Sequence, residues 1–526
     1  METARQSSER PFLQIPRRFN IAEYVVDRHV AEGRGQRAAA VTSHGRYTYD
    51  DLRRLTNRFA NVLRGLGVGR GDCVLLRLGS TLEGAVAILG TLKLGAVAIP
   101  TTPLFREREL ESVFNNSEAV AAVATRELAG PIEGVRSRAP SLRHVVVAGG
   151  QGESSWESLM GRAAETFTVE ATDCGDLAII LYTSGTTGTP KGVDWPHRWL
   201  IGTGDPVVRA MALLTPEDVC YQPQDWSFSF PIGCGFLYPL MAGAAIVIPE
   251  GRFNPESALA TLERHRVTVF AAVPTIYRML LAVPNGERRF ALDSLRIGLS
   301  AGEPLPAPTF KEWRERFGLT ILDGLGQTEC HIFVANRLGM EIKPGSMGKP
   351  LPGYDVAVLD DDGQVQRTGE PGHVVIRQGH PGLTLGYHRE PARWAAVNRN
   401  GWYYTKDMAY IDGDGYYWYV ARSDDLIKSR AYLISPKEVE SALLEHRAVL
   451  EAGVVGVPDE RMGRKVKAFV TLRAGFEPSP GLAEELQRHT GGLIAPYKVP
   501  QLVEFVAELP KTLTGKILRR ELRSKS

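Results

Sequence analysis

Apolar positions along this chain follow two rhythms that alternate over its first two thirds. Leu52, Leu55, Phe59 and Val62 recur at helical spacing behind Thr48-Tyr49-Asp50-Asp51, a cap-like Thr with an acid three residues on, and the run ends at Gly65. The Gly67–Asp72 turn opens a predicted strand over 73–78, a helix over 82–94 follows, and 96–100 is again strand-like. Short β-branched runs at 244–248 and 267–273 extend the alternation, which predicts α/β layering with largely parallel sheets. Beyond residue 340 the texture changes. Residues 356–359 and 373–376, separated by Asp360-Asp361-Asp362-Gly363, read as short antiparallel strands. From Arg422 a separate module begins: Ser435-Pro436-Lys437-Glu438 starts a helix to about 445, strands follow at 452–457 and 467–472, and a second helix covers 482–490. About 100 residues of this kind suffice for an independent α+β domain. The fold class is therefore α/β. A large N-terminal domain (1–421) combines layered α/β sheets with a small β-rich subdomain, and a smaller C-terminal α+β domain covers 422–526.

Within this frame the apolar run 177–182 ends abruptly in Thr183-Ser184-Gly185-Thr186-Thr187-Gly188-Thr189-Pro190-Lys191-Gly192. The loop is rich in hydroxyls, carries one Lys and has no acid. Small residues allow close backbone approach, and successive N–H groups suit phosphate oxygens. It is not a Walker A loop, because Pro190 stands where that pattern needs Gly and Gly192 follows the Lys.

Composition narrows the partners. At 526 residues the chain is too long for one compact core. Its 62 basic and 60 acidic residues leave a net charge of +2, so no global field favours nucleic acid or an anionic membrane. An anionic ligand must be held locally. The five cysteines are scattered without a CxxC pair, which fits a reducing compartment and argues against a disulfide framework or a zinc site. Cys330, between Glu329 and His331, is expected to be a small buried residue rather than a nucleophile. No stretch approaches the apolar length of a membrane helix, and residues 1–20 lack the apolar core of a secretory signal, so a cytoplasmic location is expected.

The phosphate-type loop is followed in order by Asp323-Gly324-Leu325-Gly326-Gln327-Thr328-Glu329, Tyr404-Thr405-Lys406-Asp407, Ala421-Arg422-Ser423-Asp424-Asp425 and Lys511-Thr512-Leu513-Thr514-Gly515-Lys516. This series resembles the adenylate-forming (AMP-binding) superfamily from about residue 40 to the end. The segments Ala272–Leu280, Lys343–Gly348 and Ala495–Lys498 are most similar to the medium-chain and aromatic acyl-CoA synthetases.

The resemblance implies two half-reactions. A carboxylate attacks the α-phosphate of ATP to give acyl-adenylate and pyrophosphate, and a thiol, normally that of coenzyme A, then displaces AMP. It also implies the site. Thr183, Ser184, Gly185, Thr186, Thr187 and Lys191 would hold the phosphates, Glu329 would ligate Mg²⁺, and Thr328 would contact the α-phosphate. Asp407 would take the ribose hydroxyls with help from Arg422. Gly302-Glu303-Pro304 and Asp323-Gly324-Leu325 would flank the adenine, with Gln327 also on the nucleotide side. Lys516 would bridge the substrate carboxylate and α-phosphate. The small domain would be mobile, rotating about Asp424 to serve each half-reaction in turn. Trp226 and Phe228, with Ala301 and Gly326, would line the acid pocket, and the absence of a cation in these segments favours a mainly apolar monocarboxylate. A homodimer is one possible assembly, and the sequence does not name the oligomeric state.

The pattern is broken in two places, the first being Ala421, where relatives usually carry Gly before the hinge Arg. Relatives usually read Ser-Gly-Tyr/His-Arg-Ile after the hinge, whereas Ser429 here leads into Arg430-Ala431-Tyr432-Leu433-Ile434. These residues would face coenzyme A, and a methyl at Ala431 narrows the approach of its pantetheine arm. Three readings follow: a carboxylate–CoA ligase, an adenylating enzyme that delivers the acyl group to an amine or a carrier-protein thiol, and a nucleotide- or acyl-binding protein without turnover.

Overall fold

The computed structural model describes residues 14–183, 190–423, 425–429, 432–459, 463–511 and 517–524. Two large sheets dominate the first 350 residues. The seven-stranded sheet runs Gly386–Tyr387, Lys191–Pro196, Leu177–Thr183, Val97–Pro100, Cys73–Arg77, Ala121–Thr125, His144–Ala148. The nine-stranded sheet runs Lys349–Pro350, His331–Ala335, Ile321–Gln327, Ile297–Ala301, Val269–Ala271, Val219–Tyr221, Ala245–Val247, Ala38–Thr42, Gly45–Thr48. Their inner strands pair in parallel; antiparallel strands close both edges of the nine-stranded sheet and one edge of the seven-stranded sheet, whose other edge, His144–Ala148, is parallel.

Burial explains why the inner strands are apolar throughout rather than alternating. Val74 and Leu76 face the main core, whereas Leu75 belongs to a second cluster under the helices Glu107–Ser117 and Arg126–Val135. The helix Tyr49–Gly65 starts in a full capping box between Thr48 and Asp51. Next to it, Leu82–Lys93 is buried on nearly every side. Its last residue, Lys93, is fully buried, with Nζ 2.8 Å from Asp27 and 2.7 Å from Asn57 Oδ1, the pairing a charge needs at that depth.

A five-stranded antiparallel sheet follows, in which Val356–Leu359, Gly372–Arg377 and Trp402–Ile411 lie side by side and Tyr417–Arg422 flanks the last. After Arg422 the chain builds its own cores. The sheet Val449–Asp459, Gly463–Leu472, Leu502–Phe505 packs against the helices Pro436–Leu444 and Pro480–Leu493 around Val439, Leu443, Val454, Val470 and Leu486. A smaller cluster of Val455, Val457, Phe469, Leu509 and Leu522 receives Ile517. The protein is thus a mixed α/β chain with a large N-terminal domain of sheets and a smaller C-terminal domain. Among the described residues no helix is long and apolar enough to cross a membrane.

Candidate active site

The strands Leu177–Thr183 and Ile321–Gln327, one from each large sheet, end near one another, joined by the contact of Lys191 with Glu329, and strand carboxyl ends are the usual ligand position in open α/β sheets. From the seven-stranded sheet, Thr183 ends one strand and Lys191 begins the next, as register partners across the loop 184–189. Ser184, Gly185, Thr186 and Thr187 lie outside the described residues.

From the nine-stranded sheet, Gln327 ends the strand Ile321–Gln327 and Thr328-Glu329-Cys330 turn into His331–Ala335. The turn is tight. His331 takes the left-handed backbone conformation at φ 52°, and a side chain on Gly326 would strike the His331 carbonyl oxygen at 2.7 Å. Gly326 is therefore required by its own hairpin, whatever else it borders. The Thr328 carbonyl accepts from Trp195 Nε1 at 2.7 Å, and the Glu329 carbonyl accepts from Thr384 N at 2.8 Å. Both backbone groups are held before any ligand arrives.

Glu329 is the electrostatic centre. Lys191 Nζ lies 3.0 Å from its Oε1, and the Tyr387 hydroxyl donates to the same oxygen at 2.9 Å. The Lys191 ammonium also sits 3.9 Å above the Tyr387 ring, a cation–π contact. Burial pushes the Glu329 carboxyl upward, but the Lys191 charge and the two hydrogen bonds outweigh it and hold the carboxyl below its ordinary range. The result is a buried, ionised carboxylate at the root of the phosphate-type loop. Tyr387 escapes sequence reading because it stands 58 residues from Glu329 on a two-residue strand, Gly386–Tyr387.

Asp407 is presented from Trp402–Ile411 by a kink, since Lys406 has φ 64° and the pairing slips between Met408 and Ala409. Its backbone N–H donates to Thr405 Oγ1 at 3.1 Å. Gln327 ties this strand to Ile321–Gln327: its Nε2 donates to the Thr405 carbonyl at 2.7 Å and to Asp407 Oδ2, while its Oε1 accepts from Tyr403. Arg422, the register partner of Asp407, approaches its Oδ1 at 3.6 Å. A carboxylate and a guanidinium thus stand together at the base of the small domain.

Gly302, at φ 92°, turns the chain out of Ile297–Ala301 into Glu303-Pro304. Asp323 braces that turn. Its Oδ2 accepts from Leu305 N at 3.1 Å. Burial pushes the Asp323 carboxyl up to about 7 against the pull of the Leu305 N–H. Gly324 and Leu325 continue the same strand, whereas the Asp323 side chain is a strut under the turn. The folded protein prefers protonated Asp323, so its contribution to stability is full below the ordinary carboxyl value of 3.8 and is lost as pH rises through about 7. Asp323→Asn, neutral at every pH, is expected to flatten that decline. Relative to the variant, the wild type should lose up to about 1.4 kcal/mol per pH unit at the steepest point. Melting curves of both proteins between about pH 4 and 8 check this; parallel profiles would contradict it.

The residues expected to line the acid pocket separate. Trp226 is buried in the core, stacked on Phe236 with centroids 4.5 Å apart. Phe228 is only partly buried and caps the short helix Ser229–Ile232. That helix brings in residues the sequence reading passed over: Ser229 Oγ accepts from the Thr328 hydroxyl at 3.4 Å, and the Ser229 carbonyl lies 3.1 Å from His331 Nε2. Burial lowers the His331 imidazole to about 3, so it is a neutral ring beside Thr328. Cys330 is fully buried with its thiol pushed well upward, an inert core residue. Ser429 is buried in the hairpin Ile427–Ser429/Tyr432–Ile434. Asp424, Arg430, Ala431 and Lys516 lie outside the described residues, as does the Tyr432 side chain. Beside the expected hinge, Asp425 pairs with Arg519 and Arg523 of the terminal helix, so the small domain's own packing begins at that residue.

These segments define the class. Residues 27–388 match the AMP-binding enzyme family and residues 438–516 match the AMP-binding enzyme C-terminal domain. The chain belongs to the AMP-binding enzyme family. Over its whole length it is 38% identical to the benzoate–CoA ligase of Thauera aromatica, covering 99% of that protein. It is 36% identical to the mitochondrial acyl-coenzyme A synthetase ACSM3 of Homo sapiens, over 98% of this chain and 90% of that one. Among solved structures, the anthranilate CoA ligase AuaEII in complex with anthranoyl-AMP superposes with a TM-score of 0.91 at 34% identity, covering 97% of this chain and 98% of that one.

Proposed function

We propose that this protein activates an apolar aromatic or medium-chain carboxylic acid as its acyl-adenylate, in the crevice bounded by Lys191, Glu329 and Asp407, and passes the acyl group to coenzyme A. The reaction class is settled by the family: the protein is an AMP-forming acid–thiol ligase that uses ATP, a carboxylic acid and coenzyme A. The residue assignments are our reading.

The observation that carries it is the Lys191–Glu329–Tyr387 cluster at the root of the phosphate-type loop. The acid is already an anion, so the first step needs no general base; the obstacle is repulsion between a carboxylate and a triphosphate. Lys191 and the hydroxyl-rich loop would neutralise the phosphates, and Lys516 would bring a second cation from the small domain to the reacting oxygen and phosphorus. Asp407 would accept the ribose hydroxyls, with Arg422 supporting it and Gln327 fixing its strand. Thr328 would contact the α-phosphate and Gly302-Glu303-Pro304 the adenine. Glu329 offers one ionised carboxylate beside the loop, a donor set that fits Mg²⁺ held by one carboxylate, phosphate oxygens and water. When bound, the ion would draw charge from the phosphates. Among the described residues no group of three or more His, Cys, Asp or Glu forms a metal cage.

For the acid pocket we propose Trp226, Phe228, Ala301 and Gly326, joined by Ser229 and the neutral ring of His331, a lining with no formal charge to match a second substrate carboxylate. Ser429, Arg430, Ala431 and Tyr432 would face coenzyme A after the small domain turns about Asp424. The proposed location is cytoplasmic and the proposed assembly a homodimer. Pyrophosphate release across a panel of aliphatic, aromatic and dicarboxylic acids tests the specificity. Benzoate-like or medium-chain acids are expected to win by at least about a hundredfold in kcat/KM over dicarboxylates. A preference for a dicarboxylate would overturn the apolar pocket.

A further inference from the structure

The two domains meet through a charge cluster that the activation chemistry alone does not explain. Arg278 lies on the helix Pro274–Leu281 of the large domain. Its Nη2 donates to Thr275 Oγ1 at 2.9 Å, and the Thr275 hydroxyl donates to Glu303 Oε2 at 3.3 Å, on the turn assigned to adenine. The same nitrogen reaches across the domain boundary to Glu451 Oε1 at 3.5 Å, with both side chains only about 15% exposed. Glu451 belongs to the small domain's strand Val449–Asp459, and it also receives Lys511 Nζ on its two oxygens at 2.9 and 2.8 Å.

Lys511 is no arbitrary partner. It forms an isolated antiparallel bridge with Ile517, so these two residues bracket the segment that carries Lys516. Ile517, the residue after Lys516, is anchored in the small apolar cluster beside Leu509. A single carboxylate, Glu451, therefore stands between a cation from each domain, at the base of the lysine-bearing segment. Lys437 of the small domain faces the same junction, where burial lowers its pKa and the charges of Glu440 and Glu303 oppose that.

We propose that Arg278 and Glu451 are positioning residues for the adenylation half-reaction: their ion pair, shared with Lys511, docks the base of the Lys516 segment against the nucleotide side of the large domain. The proposal rests on the reading of Lys516 given above. A partly buried pair with a charge-assisted third member is worth more than an exposed one. Any rotation of the small domain must break the Arg278–Glu451 contact while sparing Glu451–Lys511, which lies within one domain. The pair thus favours acid activation and contributes nothing to capture of the thiol.

Arg278→Ala separates these effects, because it leaves Glu451–Lys511 and the small domain's cores intact. Two assays are needed on the full-length enzyme: acid-dependent ATP–pyrophosphate exchange without coenzyme A, and thioester formation from synthetic acyl-adenylate plus coenzyme A. Exchange is expected to fall about tenfold in kcat with the KM for ATP little changed, and Arg278→Lys is expected to recover part of it. Thioester formation should stay within about twofold of wild type. Unchanged exchange, equal loss in both assays, loss confined to the thioester step, or a rise in KM for ATP alone would each overturn the positioning role. Lys516→Ala run in parallel keeps the two ideas apart. If that variant retains exchange, the underlying assignment fails whatever Arg278→Ala does.

Discussion

Lys516→Ala is expected to lower ATP–pyrophosphate exchange by about a hundred- to a thousandfold, the scale of removing one electrostatic contact made at the transition state. The reason is geometric as well as electrostatic. In the proposed scheme the large domain would supply Lys191 at the phosphates, and no second cation of that scheme would lie where the acid's oxygen meets phosphorus. A compact ammonium delivered by the other domain fills that gap. The loss should fall on kcat, and coenzyme A capture from preformed adenylate should survive, since in the proposed scheme the residue would serve the first step only. Stopped-flow thioester formation with synthetic adenylate checks the second half of this statement. A variant equally slow in both half-reactions would show that the substitution had disturbed the domain rather than the chemistry.

Glu329→Gln is the second large effect. The carboxylate is held ionised by Lys191 and Tyr387 in a buried setting. Its neutral isostere keeps the shape but leaves the Lys191 charge without its counterion. Exchange is expected to fall by about a hundredfold, and the Mg²⁺ concentration for half-maximal activity to rise. Mn²⁺ binding followed by electron paramagnetic resonance in the presence of ATP gives a readout independent of turnover: the variant should bind the ion at least about tenfold more weakly. Normal metal affinity in a folded Glu329→Gln protein would remove Glu329 from the metal and reduce it to a partner of Lys191.

Much of this was legible in the residues because the signals were local. The Thr48 cap with Asp51, the strand at 73–78, the helix at 82–94 and the Ser435-Pro436 helix start appear where pattern and capping put them, within a residue or two. The small domain's strands run longer than expected, Val449–Asp459 and Gly463–Leu472, because paired backbone carries them past the Pro and charged residues that end the apolar run. What escaped depends on distance in the chain. No local pattern says that Tyr387 will cover Lys191, or that Arg278 will meet Glu451, because such contacts are set by how whole sheets and domains pack. Aromatic composition leaves burial open for a related reason. Trp226 and Phe228 share a segment, but which ring faces the core is decided by the turn at Asp225 and the helix that begins at Ser229. Asp323 illustrates the same limit: its motif marks the nucleotide side, while its carboxyl is spent on the Leu305 N–H.

The central claim is that the organic acid's own oxygen attacks the α-phosphorus of ATP in this crevice. The most direct measurement is transfer of heavy oxygen from a doubly labelled carboxylate, benzoate being the first choice, into AMP during turnover with coenzyme A. AMP carrying one labelled oxygen, with the other retained in the thioester carbonyl, is the predicted result. Unlabelled AMP, or release of ADP and phosphate in place of AMP and pyrophosphate, would contradict it.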